Sequence, residues 1–252
     1  MEKWLVIGTD ERLRTLAKKL TSPSRTVFYK STDIWDATLN ATVLDFFPDF
    51  IVLPIQPMKI EVPMLLGIKH AKFFVGRLNE HWDALLKDVQ YTRYLEDEAF
   101  IWKNAALTAE GLLAYFYERG ISIANKSFIV TGFGRVAKTA AMKLRNLNAN
   151  VTIAVRSTAQ QSEANVFGFP VIDLKPEQIV EADALINTIP AQWLTQPFNE
   201  RITMPIFDVA SSPGCLYYVI RKDYVMLSSL PGKYFAEDAA QILFESIVKE
   251  AY

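Results

Sequence analysis

The chain has 252 residues, half of them hydrophobic, and 27 lysines and arginines against 28 aspartates and glutamates leave a formal charge of −1. That balance describes a core-forming chain of one large or two small domains and argues against nucleic acid as the main partner. A single cysteine, Cys215, excludes an intramolecular disulfide, and two histidines, His70 and His81, give no cluster for a metal.

The N-terminal run "MEKWLVIGTDERLRTLAKKL" lacks the apolar stretch and cleavage site of a signal peptide. No window offers the roughly 18 uncharged apolar residues of a membrane helix. With the lone cysteine, this leads to the expectation of a reducing, cytoplasmic setting.

"KWLVIG" reads as a strand entering a glycine turn. "DERLRTLAKKL" reads as a helix with Leu13, Leu16, Ala17 and Leu20 on one face. "TVFYK", "FIVLPI" and "AKFFVG" are further strands. A long helix is expected from about 94 to 119, with Gly120 as its stop. It leads into the strand "SFIVT", a helix over 135–147, the strand "VTIAV" and a helix from about 158. Then come a short strand near "FPVI", a helix "PEQIVEA", and the strands "ALINTI", "PIFDVAS" and "YVMLSS". The terminal helix is "FAEDAAQILFESIVKEAY". Two runs of alternating strand and helix predict an α/β protein with two doubly wound parallel-sheet domains, the second a Rossmann NAD(P)-binding domain. The expected boundaries are 1–100 for a flavodoxin-like substrate domain, 101–234 for the nucleotide domain, and 235–252 for a helix packing back on the first domain.

The chemistry concentrates after "SFIVT". Gly132, Gly134 and Ala137 form G-x-G-x-x-A between a strand and a helix. The first glycine permits the tight turn, the second lets a pyrophosphate approach the backbone, and the small third residue lets helix and strand pack closely. Gly132, Phe133, Gly134, Arg135 and Val136 are therefore candidate cofactor residues, with the phosphate on the positive end of the helix. An NAD site commonly places an acid at the end of the second strand, whereas this chain has Arg156, followed by Ser157 and Thr158. A guanidinium fork and two hydroxyls suit the 2′-phosphate of NADP. The competing reading of Arg156 is a solvated surface arginine. "NTIPA", with Thr188, Ile189 and Pro190, and "DVASSPG", with Ala210 and Ser211, fall at two later strand ends. Ligands of such sheets bind there, although the same residues serve ordinary turns. The charged "RKDY" near 221 reads as a solvated turn.

The ordered set "VIGTDERLRTLAKKL", "NAALTAEGLL", "VTGFGRVAKTAAMKLRNLNANVTIAVRSTA", "LINTIPA", "FDVASSPG" and "SLPGKYFAEDAAQIL" resembles the family of the dehydrogenase-like subunit of dipicolinate synthase from spore-forming bacteria. "NAALTAEG" and "LPGK" are its most specific parts. The resemblance implies an architecture like that of formate and glycerate dehydrogenases, oxidation of dihydrodipicolinate to dipicolinate (pyridine-2,6-dicarboxylate), NADP as acceptor, and the synthase's flavoprotein-like second subunit as partner. A homo-oligomer is also expected. Departures fall mainly on the substrate side. Gly8 is followed by Thr9–Asp10 where the family carries a "GGD" turn, Gly214 by Cys215 where it has a second glycine, and "KYFAEDAAQIL" replaces a "TAGQIL" run.

Such a substrate needs partners for two carboxylates. On the crossing helix Asn104, Thr108 and Gly111 share a face by spacing, so Asn104 and Thr108 are candidate donors. Arg12, Lys59 and Lys233 are candidate cations, Lys233 first because it follows "LPG"; each also reads as a plain surface charge. No general base is legible. Two alternatives stand beside this reading. One is a shikimate dehydrogenase-like NADP enzyme with Lys59 as its lysine. The other is a sensor or scaffold subunit that binds NADP without turnover.

Overall fold

The computed structural model describes residues 1–63, 68–218 and 221–251. The chain divides into two compact units, Met1–Asn104 with Pro231–Tyr252, and Ala105–Leu230. Each is built on its own parallel sheet.

The first unit runs β1 (Glu2–Ile7), α1 (Glu11–Leu20), β2 (Arg25–Lys30), β3 (Ile34–Trp35), α2 (Ala37–Phe46), β4 (Phe50–Val52), β5 (Lys59–Ile60), β6 (Lys72–Val75), α3 (Glu80–Leu85) and β7 (Tyr91–Arg93). A 3₁₀ turn at Tyr94–Glu96 precedes α4 (Glu98–Glu118), which continues into the second unit. The sheet has the order β2-β1-β4-β6-β7, all parallel, with the short β3–β5 ladder apart from it. That order, counted along the main sheet, is the flavodoxin-like 2-1-3-4-5. Side chains alternate across a strand, so β1 feeds both faces of the sheet. Leu5 and Ile7 join Trp35, Leu39, Phe73 and Trp82 on one side. Trp4 and Val6 join Leu13, Leu16, Leu20, Phe74 and Phe100 on the other. Both sides are buried, which is why the strand reads as an unbroken apolar run.

The second unit runs β8 (Ser127–Thr131), α5 (Arg135–Asn146), β9 (Asn150–Val155), α6 (Thr158–Val166), β10 (Val171–Asp173), β11 (Ala184–Asn187), α7 (Gln196–Arg201), β12 (Ile206–Asp208) and β13 (Tyr224–Met226). Its six parallel strands lie in the order β10-β9-β8-β11-β12-β13. This is the 3-2-1-4-5-6 order of a dinucleotide-binding sheet, with the order reversing beside β8. Phe116 of α4 stacks on Phe128 at 5.8 Å and meets Phe207 edge-on at 4.8 Å, closing one face of the sheet. The chain ends with α8 (Leu230–Tyr234) and α9 (Ala236–Ala251). Residue 252, included in the expected terminal helix, lies outside the described residues.

Several expectations change at element level. The strand expected over "FIVLPI" stops at Val52, two residues before Pro54, which has no N–H for a ladder. The helix expected over "PEQIVEA" is only a 3₁₀ turn, Pro176–Gln178, and the chain then runs on to β11. The crossing helix starts at Glu98 rather than 94, because Asp97 Oδ1 accepts the Ala99 N–H at 3.0 Å and caps it there. Helix α2 reads weakly in the sequence, because Leu39, Val43 and Phe46 face the core while the equally apolar Leu44 is exposed. The "RKDY" turn is solvated at Lys222 but not at Arg221. The Arg221 side chain is 7% exposed, pairs with Asp223, and donates to the carbonyls of Ile202 (2.6 Å) and Met204 (3.1 Å). It satisfies the carbonyl groups between α7 and β12 that would otherwise lack donors.

Candidate functional site

Strand β8 ends at the buried Thr131, and the chain turns at Gly132, whose φ of +79° favours glycine. The Gly132 N–H bonds to Ala154 O at 2.9 Å. A Cβ at Gly132 would lie 3.0 Å from Ile189 Cγ1 and 3.1 Å from Thr188 Oγ1. The glycine turn thus sits directly against the segment after β11, and Thr188 Oγ1 donates to Thr131 O at 2.6 Å. Two motifs well separated in sequence meet at the point where the strand order reverses.

Gly134 differs from Gly132. Its φ is −80°, it is exposed, and a Cβ there would meet nothing within 4 Å. It is the N-cap of α5 and supplies no side-chain cap. The first-turn N–H groups of α5 therefore face open space without a capping side chain. Such a terminus fits a phosphate, which the exposed N–H groups and the helix dipole both favour. Ala137 is wholly buried, as close packing of α5 on the sheet requires. Phe133 is 1% exposed and meets Phe167 and Phe169 edge-on, so its side chain belongs to the core and only its backbone borders the open space. Arg135 is exposed and Val136 half-buried.

At the end of β9, Arg156, Ser157 and Thr158 are all exposed. Ser157 is the N-cap residue of α6, yet its hydroxyl makes no capping bond. Arg156 forms no ion pair among the described residues. A guanidinium, two hydroxyls and a second uncapped helix terminus are therefore grouped at one strand end.

The strand ends on the other side of β8 hold a buried polar network that sequence reading did not single out. Asn187 Oδ1 accepts from Thr131 Oγ1 (2.7 Å) and Trp193 Nε1 (3.0 Å), while its Nδ2 donates to Asp208 Oδ1 (2.8 Å). Asp208 is fully buried. Its carboxylate also accepts from the N–H groups of Ala210 (2.9 Å) and Cys215 (2.8 Å) and from the Tyr224 hydroxyl (2.8 Å). Four neutral donors replace a counter-cation, and the 208–215 segment is folded back around this one side chain. Burial, then the bond to Asp208, pushes the Tyr224 phenol above its ordinary value, so it remains a donor at neutral pH. Burial and the Asp208 charge likewise push the Cys215 thiol up, which removes it as a nucleophile. An acid closing an apolar strand in "IFDVAS" was the available signal. Its partner Tyr224 is distant in sequence and carried none. Of the expected cofactor residues nearby, Thr188 and Ile189 line the glycine turn, Pro190 is exposed, and Ala210 is held through its N–H by Asp208. Ser211 is half-buried, and its carbonyl accepts from Gly214.

The expected substrate residues separate by environment. Arg12 is not a surface charge. Its side chain is 4% exposed and forks onto Asp10, Nε to Oδ1 and Nη2 to Oδ2, both at 2.9 Å. Its Nη1 donates to Asn104 Oδ1 at 3.2 Å. The backbone of Gly232 passes so close that a Cβ there would run into the Asp10 carboxylate. Asp10, Arg12, Asn104 and Gly232, which lies in helix α8 rather than in a turn, thus meet within the first unit, and the exposed Lys233 follows directly. Lys233 Nζ lies over the Tyr234 ring at 4.8 Å. Thr108 is half-buried one turn further along α4. Gly111 is a packing position, since a Cβ there would come within 2.8 Å of Leu230. Glu110 pairs with Lys143 at 2.7 Å. Lys59 is exposed and pairs with Glu61.

Residues 122–210 match the NADPH-binding domain of acetohydroxy acid isomeroreductase. Over 98% of this chain and 95% of the relative, the sequence is 25% identical to the A subunit of dipicolinate synthase from Bacillus subtilis (strain 168). The crystal structure of the same subunit from Bacillus halodurans superposes with a TM-score of 0.81 at 20% identity, covering 99% of this chain and 97% of that one. A Salmonella D-lactate dehydrogenase shares the fold with a TM-score of 0.64 at 12% identity, covering 99% and 96%. The chain is thus similar to the A subunit of dipicolinate synthase along its length, with an α/β dehydrogenase-like fold that includes a nicotinamide-cofactor domain. No helix among the described residues is long and apolar enough to cross a membrane.

Proposed function

We propose that the chain is an NADP-dependent oxidoreductase that oxidises dihydrodipicolinate, or a related small dicarboxylate, to the aromatic acid. The observation that carries the cofactor half is the pairing of two uncapped helix termini, at Gly134 and Ser157, with the exposed Arg156 beside the second. The first suits a pyrophosphate and the second a 2′-phosphate, where an acid would repel it. In this reading the N–H groups following Gly132 hold the pyrophosphate. Arg156, Ser157 and Thr158 hold the 2′-phosphate. The segments at Thr188–Pro190 and Ala210–Ser211 flank the nicotinamide end. Bound there, the cofactor would supply the hydride acceptor for the substrate ring, which also gives up one proton. Aromatisation drives that loss, so the chain's main task is to hold the dicarboxylate, for which Asn104, Thr108 and Lys233 are the proposed partners.

The substrate is carried over from the likeness to dipicolinate synthase. The synthase's flavoprotein-like second subunit, a homo-oligomer and a cytoplasmic setting come with it. A second reading, an NADP-binding subunit without turnover, draws on the absence of any histidine after the glycine loop. The ion pair of Lys59 with Glu61 weighs against a shikimate dehydrogenase-like role for that lysine. Absorbance of NADPH, followed with dihydrodipicolinate in the presence and absence of the second subunit, tests the proposal. A rise in absorbance that requires both NADP and the dihydropyridine is the expected result. Tight NADP binding with no NADPH formed under either condition supports the non-catalytic subunit instead.

A further inference from the structure

Arg12 has the charge for a carboxylate ligand but the wrong surroundings. Its fork is already spent on Asp10, and the pair is shielded from solvent at 4% and 18% exposure. Tyr94 lies close enough to feel both charges, and burial raises its phenol well above the ordinary range, so it adds no charge to the pair. What Arg12 does reach is Asn104, at Oδ1.

That contact has a consequence for the amide. A guanidinium only donates, so the atom of Asn104 facing it must be the carbonyl oxygen. The amide nitrogen, which carries two N–H donors, is thereby turned away from Arg12. An unconstrained asparagine presents either end of its amide to a ligand at little cost. Here one end is fixed, because Arg12 cannot rotate without breaking its fork on Asp10. Asp10 is itself fixed: its Oδ1 accepts the Arg12 N–H at 3.0 Å as the N-cap of α1, and the Gly232 backbone closes over it. A side chain at residue 232 would displace this acid.

We infer that Asp10 and Arg12 are a positioning pair, which holds the Asn104 amide so that its donor end is presented to a carboxylate of the substrate. The inference rests on the proposed function for the identity of that ligand, but it concerns this chain's own residues. It also reassigns Arg12 from a ligand to a residue acting through another. The order is cap, fork, amide: one acid at the start of α1 sets the orientation of a side chain far along the sequence, in α4.

The test is calorimetric titration with dipicolinate and with pyridine-2-carboxylate, in saturating NADP, on wild type, Asn104→Asp, Asn104→Ala and Arg12→Gln. Thermal melting of each is recorded without ligand. Asn104→Asp keeps an oxygen for Arg12 and turns a bond with one charged partner into an ion pair, so it should melt no lower than Asn104→Ala. It replaces the donor end by a carboxylate oxygen, so its affinity for dipicolinate should fall by roughly tenfold or more. Arg12→Gln offers either a donor or an acceptor and frees the amide to flip. Its affinity should fall by a smaller factor, while the ligand still binds. Asn104→Asp binding dipicolinate as wild type does would overturn the inference, as would a folded Arg12→Gln with undiminished affinity. A wild type that binds pyridine-2-carboxylate but not dipicolinate leaves the inference standing and removes the dicarboxylate substrate. A wild type that binds neither removes both.

Discussion

In the proposed cofactor site Arg156 and Gly134 act through opposite properties, one by what it offers and the other by what it omits. The Arg156 guanidinium is exposed at the end of β9 and forms no ion pair among the described residues. Charged hydrogen bonds of this kind contribute about 1.5–3 kcal/mol. Arg156→Ala is therefore expected to weaken NADP by about tenfold to a hundredfold and to leave NAD nearly unchanged. Calorimetry with both cofactors checks this, and equal losses would show that Arg156 does not read the 2′-phosphate. At Gly134 the φ of −80° suits any residue and the space above it is open. Gly134→Val should therefore keep its melting temperature while losing both cofactors, because the side chain fills the space proposed for the pyrophosphate. Gly132→Val would not give so clean a result. Its positive φ and its contacts at 3.0 and 3.1 Å make any side chain there a folding defect first.

Strand β12 shows how an element end is held by a single side chain. Asp208 terminates the strand, faces four donors, and pins the 208–215 segment at the carboxyl end of the strand. Removing the Tyr224 hydroxyl deletes one donor and leaves the others, so Tyr224→Phe should cost about 1–2 kcal/mol. Asp208→Ala leaves the buried N–H groups of Ala210 and Cys215 without an acceptor, takes one partner from Asn187 and Tyr224, and removes the charge that organises them. Its cost should exceed that of Tyr224→Phe by at least about 2 kcal/mol. Urea denaturation of the two variants checks the order. Similar losses for both would mean that the network is wetter than its burial indicates. Cofactor affinity should fall with Asp208→Ala as well, because Ala210 loses the acceptor that holds its N–H.

The first unit is completed by the end of the chain rather than by the residues that follow its last strand. Helix α9 lays Ala240, Leu243 and Ile247 against Leu13, Leu16, Ala17 and Leu20 of α1, with Lys19–Glu237 at 3.2 Å and Lys103–Glu245 at 2.8 Å at the margins. Burying a leucine or isoleucine contributes about 1.5–3 kcal/mol each. Leu243 and Ile247 alone thus carry a sizeable part of the roughly 5–15 kcal/mol by which a domain is stable. Deleting residues 236–252 should expose β1 and α1 to hydrogen exchange while β8, α5 and β9 stay protected. NADP binding should survive, since every proposed cofactor residue lies within 105–230. Loss of protection throughout both units would show that they fold as one.

Local sequence determined the glycine turn of the second unit, on which the proposed cofactor site rests. A glycine at positive φ, an open glycine at a helix start and a small residue under the helix are requirements of neighbouring backbone atoms. They stand together in "GFGRVA", and the arginine that replaces the acid follows one strand later. The two-sheet architecture was legible for a similar reason: strands buried on both faces are apolar throughout, as in "WLVI" and "FIV". Tertiary structure decided what depends on distant partners. Arg12 and Arg221 read as surface charges because arginine usually is one, and their burial rests on Asp10 with Asn104 and on the carbonyls of Ile202 and Met204. Asp208 read as part of a turn until Asn187 and Tyr224 were brought to it. A buried polar group is stable only when each donor and acceptor finds its complement, and in a parallel sheet those complements come from crossovers that no local pattern records.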